Sequence, residues 1–179
     1  ILRQHIAGNT PMASSVKTPP PRETAVRILD AAEQLFAVQS FEGTSIRQII
    51  DLAGVRLALA HYHFESKEHI FHEVLTRRAN VVNDSRQQLL AHYRQLHGQD
   101  PLTVEEMARC YLSPYLYWST HGGPGWQSYT KLAARLMSTE RWMGLLGTLF
   151  TPLAEDFLQE LRRTFPSGEE KRIQWAFDF

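Results

Sequence analysis

The sequence predicts an all-α protein, and three observations support this class. Apolar residues recur at the three- and four-residue spacing of amphipathic helices, and no segment shows the strict alternation of a half-buried strand. Capping signatures begin several of these helices, and Gly or Pro clusters end them. The 179 residues suffice to bury a core without a disulfide or metal, and the single cysteine, Cys110, favours a reducing, cytoplasmic setting.

The amino-terminal third is predicted to hold three short helices and the start of a long one. The first has an apolar face over residues 25–36 and ends in the stretch 40–43. Ser45 and Gln48 form a capping box that begins the second helix, and Gly54 ends it. The third is predicted over residues 56–62. Ser66 then caps a long fourth helix that reaches a breaker segment at residues 98–101.

Further helices fill the remainder of the chain. Thr103 and Glu106 form a second capping box, and Pro114 is expected to kink or interrupt the helix that begins there. Residues 121–125 are predicted to form a glycine-rich loop. Two helices follow at about residues 126–137 and 140–164, and Pro152 is expected to bend the second.

The two ends of the sequence do not look like natural boundaries of the fold. Residues 1–21 show no helical period and finish in three prolines, so we expect a leader or tag outside the fold. Ser167 and Glu170 form a third capping box, and the apolar pattern then runs to Phe179 without a stop signal. We therefore expect the natural chain to continue. No apolar run approaches the roughly 20 residues of a membrane helix, so no membrane partner is expected.

Net charge does not favour nucleic acid, because 19 Lys and Arg balance 19 Asp and Glu. Residues 1–80 are also close to neutral, with 9 basic and 8 acidic side chains. Attraction to DNA phosphates would therefore depend on where the cations lie, and its salt dependence would be modest.

Residues 44–64 have the spacing of a helix-turn-helix, in which two short helices are joined through a glycine. Such a second helix can enter the major groove of DNA while the first crosses the backbone. Its outward residues are the predicted readers of base edges: Arg56, Leu57, Leu59, His61 and Tyr62. The predicted phosphate contacts are Thr44, Ser45, Arg47 and Lys67. The same spacing also occurs in helical corners that bind no DNA.

Residues 28–75 resemble the DNA-binding domain of TetR-type bacterial transcriptional regulators. The matching segments are AAEQLF in the first helix, GTSIRQI at the second, AGV at the turn, YHF after it and SKE at the fourth helix. The resemblance implies a ligand-responsive repressor that binds a palindromic operator in double-stranded DNA as a homodimer. It also places Thr44, Arg47, Arg56, Leu57, His61, Tyr62 and Lys67 at positions that commonly touch DNA. Arg56 departs from the family, which usually has a capping Ser there.

This resemblance divides the chain into a three-helix DNA-binding domain over residues 22–68 and a larger helical region over residues 69–179 for ligand binding and dimerisation. All four Trp lie in the second region, where large aromatic residues fit either ordinary core packing or an apolar cavity. With the resemblance, they favour a small hydrophobic or aromatic effector. The candidate pocket residues are Tyr111, Tyr115, Trp118, Trp126, Tyr129, Met137 and Trp142. The last helix is expected to join the dimer interface through Ile173, Ala176 and Phe177.

An alternative is an all-α enzyme, or a cofactor- or metal-binding protein, that uses the aromatic cavity or the histidines of the fourth helix. His69 could share one helix face with His72 or Glu73 as metal ligands. The sequence lacks a closed four-ligand set, and Cys110 has no recognisable base beside it. We therefore predict no catalytic residue, no metal and no cofactor. A helical adaptor for protein partners is a third possibility.

Overall fold

A computed structural model describes residues 21–137 and 140–166, and every regular element in these ranges is helical. The seven α-helices are α1 (Pro21–Gly43), α2 (Ile46–Ala53), α3 (Leu57–His63), α4 (Lys67–His97), α5 (Val104–His121), α6 (Pro124–Leu136) and α7 (Met143–Thr164). A single 3-10 turn, Glu140–Trp142, precedes α7. The predicted all-α class is confirmed. The leader at residues 1–20 and the capping box at Ser167 lie outside the described residues.

Helix α1 is broken near its end, where the sequence predicts a stop. Ser40 has φ 65° and ψ 175°, a backbone conformation that non-glycine residues rarely adopt. The Thr44 hydroxyl donates to the Ser40 carbonyl at 2.7 Å. This hydrogen bond satisfies a carbonyl at the break in the helix. This kink turns the chain from α1 towards α2.

The helices α2 and α3 begin and end within about a residue of the positions that the sequence predicts. The Ser45 side chain accepts the Gln48 N–H, and Gln48 Oε1 accepts the Ser45 N–H at 2.8 Å, which completes the capping box. Gly54 has φ 63°, which a glycine adopts at no steric cost. A Cβ here would also lie 2.9 Å from Arg27 Nη2, so the Arg27 side chain would have to shift.

The predicted interruption of α5 at Pro114 is wrong, because the helix runs through this residue to His121. Pro114 has no N–H for the carbonyl of Cys110. The next carbonyl, that of Tyr111, accepts a hydrogen bond from Arg86 Nε of α4 at 2.8 Å. Packing and this donor from outside the helix hold the turn in place. Helix α7 is likewise continuous through residue 152.

The loop predicted at residues 121–125 is shorter than expected, because α6 begins at Pro124 and leaves only two residues between the helices. Proline is favoured in the first turn of a helix, where its missing N–H costs nothing. Gly122 must lack a side chain, because a Cβ there would lie 2.1 Å from the Trp126 ring.

Two apolar clusters form the core. The larger one joins α1, α2, α3 and the first half of α4 to α6, and Phe71 lies at its centre. The Phe71 ring contacts Phe36 and Phe41 at centroid distances of 5.0 Å and Trp142 at 4.5 Å. The smaller cluster joins the end of α4 to α5 and α7 around Leu90 and Phe157. The helix-turn-helix therefore shares a core with α6 and with the turn before α7.

The first turn of α5 contains a carboxylate, that of Glu106, whose ionised form stabilises the fold. Glu106 accepts the Thr103 N–H at 2.9 Å and the Thr103 hydroxyl at 2.7 Å, and its other oxygen lies 2.9 Å from His97 Nε2. The hydrogen bonds from Thr103, followed by that from His97, lower the pKa of Glu106 from 4.5 to about 2. A carboxyl group with a lowered folded-state pKa stabilises the fold above its unfolded pKa.

The free energy of unfolding of the protein is therefore expected to fall as the pH falls from about 4.5 towards 2. In urea unfolding across this pH range, Glu106→Gln should lose less stability than the wild type, because its amide does not titrate. Glu105→Gln is the matched control, since Glu105 is exposed and pairs with Arg109 on its own helix. Equal acid sensitivity of wild type and Glu106→Gln would contradict the prediction.

Candidate nucleic-acid interface

Helix α3 presents a largely uncovered surface. Only Ala60 is buried within it, so this residue anchors the helix to the core. Leu57 is 49% exposed and Tyr62 is 76% exposed, which is unusual for side chains of this size. His61 and Ala58 are also exposed on this helix. A short helix held by one side and open on the other has the form of a helix that enters the major groove.

The structure exposes most of the predicted contact residues together around the two helices. Ser45 and Arg47 are exposed at the start of α2, and Arg56 is exposed at the start of α3. Arg56 occupies the N-cap position without a side-chain capping hydrogen bond, as expected from its replacement of the usual Ser. Its guanidinium is therefore not used to cap the start of α3, and it has the planar pair of donors that guanine accepts.

Three predicted residues lie differently from what direct contact requires. Thr44 is only 2% exposed, and its hydroxyl is already donated to Ser40, so its side chain shapes the turn before α2. Leu59 is half-buried on α3. Lys67 Nζ donates to the carbonyls of Phe41 at 2.8 Å and Thr44 at 2.9 Å and lies 4.2 Å from the centroid of the Phe41 ring.

Lys67 therefore links the start of α4 to the end of α1, and we predict that its main effect is on stability. Lys67→Met keeps the apolar stem but removes two charge-assisted hydrogen bonds, so the free energy of unfolding should fall by about 1–3 kcal/mol. The salt dependence of DNA binding should stay unchanged. Arg47→Met is the control, because it should flatten the salt slope by about one unit while leaving stability within about 0.5 kcal/mol. A flattened slope for Lys67→Met would instead indicate a direct phosphate contact.

The sequence pattern does not indicate Arg27, which stabilises the turn between α2 and α3 by hydrogen bonds. Arg27 Nη2 donates to the carbonyls of Ala53 at 2.6 Å and Gly54 at 3.3 Å, and so satisfies the end of α2 from α1. Nothing in the local pattern marks this residue, because its partners lie 26 and 27 residues away. Ala58, which is not among the predicted contact residues, is a small residue exposed on α3.

The predicted effector residues do not line one common cavity. Trp118 lines an open groove of about 500 Å³ between α4 and α5, and its indole N–H donates to Ser85 at 3.1 Å. Met137 is 72% exposed, whereas Trp142 packs on Phe41 and Phe71 in the larger cluster. The side chains of the others lie in the two apolar clusters: Tyr111, Tyr115, Trp126 and Tyr129.

Aromatic side chains therefore mostly form core here, which their spacing alone could not distinguish from a cavity. Burial raises the pKa of the Tyr129 hydroxyl to about 12, so this group stays protonated at neutral pH. The predicted interface residues Ile173, Ala176 and Phe177 lie outside the described residues. Within the two described ranges, no three His, Cys, Asp or Glu side chains are grouped to hold a metal.

Comparison with known proteins identifies the family. Residues 28–74 match the model described as bacterial regulatory proteins, tetR family, and residues 109–179 match the model described as tetracyclin repressor-like, C-terminal domain. The chain belongs to the TetR family. TetR-family proteins are DNA-binding transcription regulators, so the alternative that this chain is an enzyme is wrong.

Two curated relatives of this TetR-family chain are also regulators. It is 35% identical over 65 residues to the HTH-type transcriptional repressor KstR2 of Rhodococcus jostii (strain RHA1), covering 32% of each protein. It is 31% identical over 83 residues to the HTH-type transcriptional regulator AcrR of Shigella flexneri, covering 46% of this chain and 37% of that protein. The matched region thus spans about a third of the length of these relatives.

Solved structures of similar proteins share the fold of this TetR-family chain. A transcriptional regulator (TerR/AcrR family) from Aquifex aeolicus VF5 has a TM-score of 0.59 at 21% identity, over 87% of this chain and 81% of that one. A mutant of HlyIIR has a TM-score of 0.61 at 21% identity, over 88% and 82% respectively. The predicted architecture of an amino-terminal helix-turn-helix and a following helical region is confirmed. Across the part of the chain described, no helix is sufficiently long and apolar to span a bilayer.

Proposed function

We propose that this chain is a transcriptional repressor that binds a palindromic operator as a homodimer in the bacterial cytoplasm. A small hydrophobic or aromatic effector, bound among the helices of residues 69–179, would release it from DNA. Residues 22–68 would form the DNA-binding domain. The exposed face of α3 is the observation that carries this proposal, because Leu57, His61 and Tyr62 are left uncovered while Ala60 anchors the helix.

The geometry supports sequence-specific DNA binding although the interface has few basic side chains. Arg56 and the uncovered α3 side chains provide both a guanine donor pair and apolar surface for thymine methyl groups. Arg47, exposed in the first turn of α2, supports contact with phosphate, whereas the Ser45 hydroxyl and N–H already donate to Gln48 Oε1. One helix-turn-helix reads only a short half-site, so two copies on a palindrome would supply the remaining specificity.

We predict that Arg56→Ala lowers affinity for the operator by about 10- to 100-fold, because a bidentate base contact contributes about 1–3 kcal/mol. The measurement is an electrophoretic mobility shift on duplex DNA from upstream of the protein's own gene. Arg109→Ala is the matched control, because Arg109 is exposed on α5 and pairs with the exposed Glu105 of the same helix. Sedimentation of the complex should show two chains for each palindrome.

Two outcomes would count against this function. Wild-type protein that binds the upstream DNA no better than a scrambled duplex of the same composition would exclude sequence-specific reading. Equal affinities of Arg56→Ala and the wild type would exclude Arg56 as a reader of base edges, even if binding itself persisted.

A further inference from the structure

Arg86 is a buried cation within the helical region that follows the helix-turn-helix. It lies on α4 and is only 5% exposed. Its Nε donates to the carbonyl of Tyr111 at 2.8 Å, and its Nη1 donates to Asn83 Oδ1 at 3.2 Å. Both acceptors are neutral, so these bonds satisfy part of the guanidinium without balancing its charge.

The other well-buried charges have ionic partners, whereas Arg86 forms no ion pair with a carboxylate of the described residues. Glu33 pairs with Arg77 and Arg78, and Glu160 pairs with Arg94. The titratable groups that face Arg86 are tyrosines, and burial lowers its pKa because the charged form is poorly solvated. An unbalanced buried charge is costly to a protein, so its presence requires an explanation.

The surroundings of Arg86 resemble a binding site for an organic acid. Its guanidinium carbon lies 4.1 Å from the centroid of the Tyr111 ring and 5.8 Å from that of Phe150. Asn83, which accepts from Arg86, also lines a pocket of about 240 Å³ between α4 and α7. Leu149 and Leu153 supply apolar surface to this pocket.

The arrangement provides a point at which a ligand carboxylate can replace a neutral acceptor. Asn83 connects the guanidinium to the pocket, because its Oδ1 accepts from Arg86 and the residue lines the pocket, and its amide donates to the Leu149 carbonyl at 2.9 Å. A carboxylate bonds to Arg more strongly than an amide oxygen does, and it can engage two N–H groups at once. Asp84 also lines the pocket but is exposed, so solvent screens its charge more than that of Arg86.

We propose that Arg86 binds the carboxylate of a small aromatic or aliphatic acid that enters beside Asn83, and that such an acid is the effector of this regulator. The inference rests on the proposed function, because it names the chemical class of the effector. It also gives the buried charge of Arg86 an anionic partner, in addition to the structural hydrogen bond that Arg86 donates to Tyr111.

The Arg86 variants must first be shown to fold, because Arg86 Nε also donates to the Tyr111 carbonyl in the turn of α5 that contains Pro114. Arg86→Met removes both the charge and this donor, whereas Arg86→Gln removes the charge and keeps a side chain that can donate hydrogen bonds. Thermal unfolding of both variants without ligand identifies the temperatures at which each remains folded. Ligand binding is then measured below those temperatures, with Arg86→Gln in place of Arg86→Met if the latter does not fold.

The ligand test compares benzoate and benzamide, which share a shape and differ in charge. Benzoate should raise the unfolding temperature of the wild type with increasing concentration, and benzamide should not. Arg86→Met should weaken benzoate binding by about 10- to 100-fold, in line with the loss of a charge-assisted pair. No benzoate effect, an equal benzamide effect or unchanged binding by Arg86→Met would each overturn the proposal.

A mobility shift with the same proteins separates this inference from the proposed function. Arg86→Met should bind the upstream DNA like the wild type, and benzoate should release only the wild type. Specific DNA binding that benzoate leaves unchanged would overturn the effector class alone. Absence of specific DNA binding by the wild type would overturn the proposed function instead.

Discussion

Glu33→Gln is expected to lower the free energy of unfolding by about 2–4 kcal/mol, an estimate reduced for the partial exposure of its partners. Glu33 is only 1% exposed on α1, and its two oxygens bind the guanidinium groups of Arg77 and Arg78 on α4 at 2.7–2.8 Å. The substitution keeps the side-chain volume but leaves two cations without their common anion. Urea unfolding should show a lower midpoint with an unchanged slope.

Asp30→Asn is the matched control for this prediction. Asp30 binds Arg77 at 2.8 Å but is half exposed, so its loss should cost no more than about 1 kcal/mol. A similar loss of stability in both variants would show that the burial of Glu33 does not strengthen its ion pairs with Arg77 and Arg78. Gly125 of α6 lies close to this ion pair, because a Cβ there would be 2.2 Å from Arg78 Nη2.

Phe71→Ala is expected to cost about 3–5 kcal/mol of stability, because a fully buried aromatic ring is removed and its site can collapse only in part. The cavity would open between Phe36 and Phe41 of α1 and Trp142 before α7. Thermal unfolding at equal protein concentration is the measurement. Val38→Ala, at an exposed position of α1, should change stability by less than about 0.5 kcal/mol.

DNA binding should respond to Phe71→Ala at temperatures where the variant remains folded. Phe41 contacts Phe71 through its ring and accepts a hydrogen bond from Lys67 through its carbonyl. Greater motion of Phe41 would therefore change the position of the segment that leads into α2. Operator affinity equal to that of the wild type, together with a stability loss below about 1.5 kcal/mol, would show that the neighbouring rings refill the space.

The starts of several helices could be predicted because their signals are local. The capping boxes at Ser45 and Thr103 and the left-handed Gly54 require only residues within one turn, so the sequence contains the whole motif. The exposure of Arg56 and Tyr62 on α3 also follows from local spacing. Helical continuity through Pro114 could not be predicted this way, because the donor from Arg86 to Tyr111 lies 25 residues away.

The buried charges were missed for a related reason. Glu33 and Arg86 interrupt the apolar pattern, and a pattern alone assigns charged residues to the surface. Only the packed arrangement shows that Arg77 and Arg78 meet Glu33, and that Arg86 meets no described carboxylate. The role of the aromatic residues could not be predicted either, because their spacing on α5 and α6 fits core packing as well as the lining of a cavity.

The contact between Trp118 and Trp126 gives the protein an intrinsic optical probe of its own packing. The two indole rings are stacked at a centroid distance of 4.9 Å and an interplanar angle of 19°, and they join α5 to α6. Trp118 also borders the open groove and donates to Ser85 of α4. Because indole emission depends on its surroundings, a shift of α5 against α6 would change the ultraviolet fluorescence of the unlabelled protein.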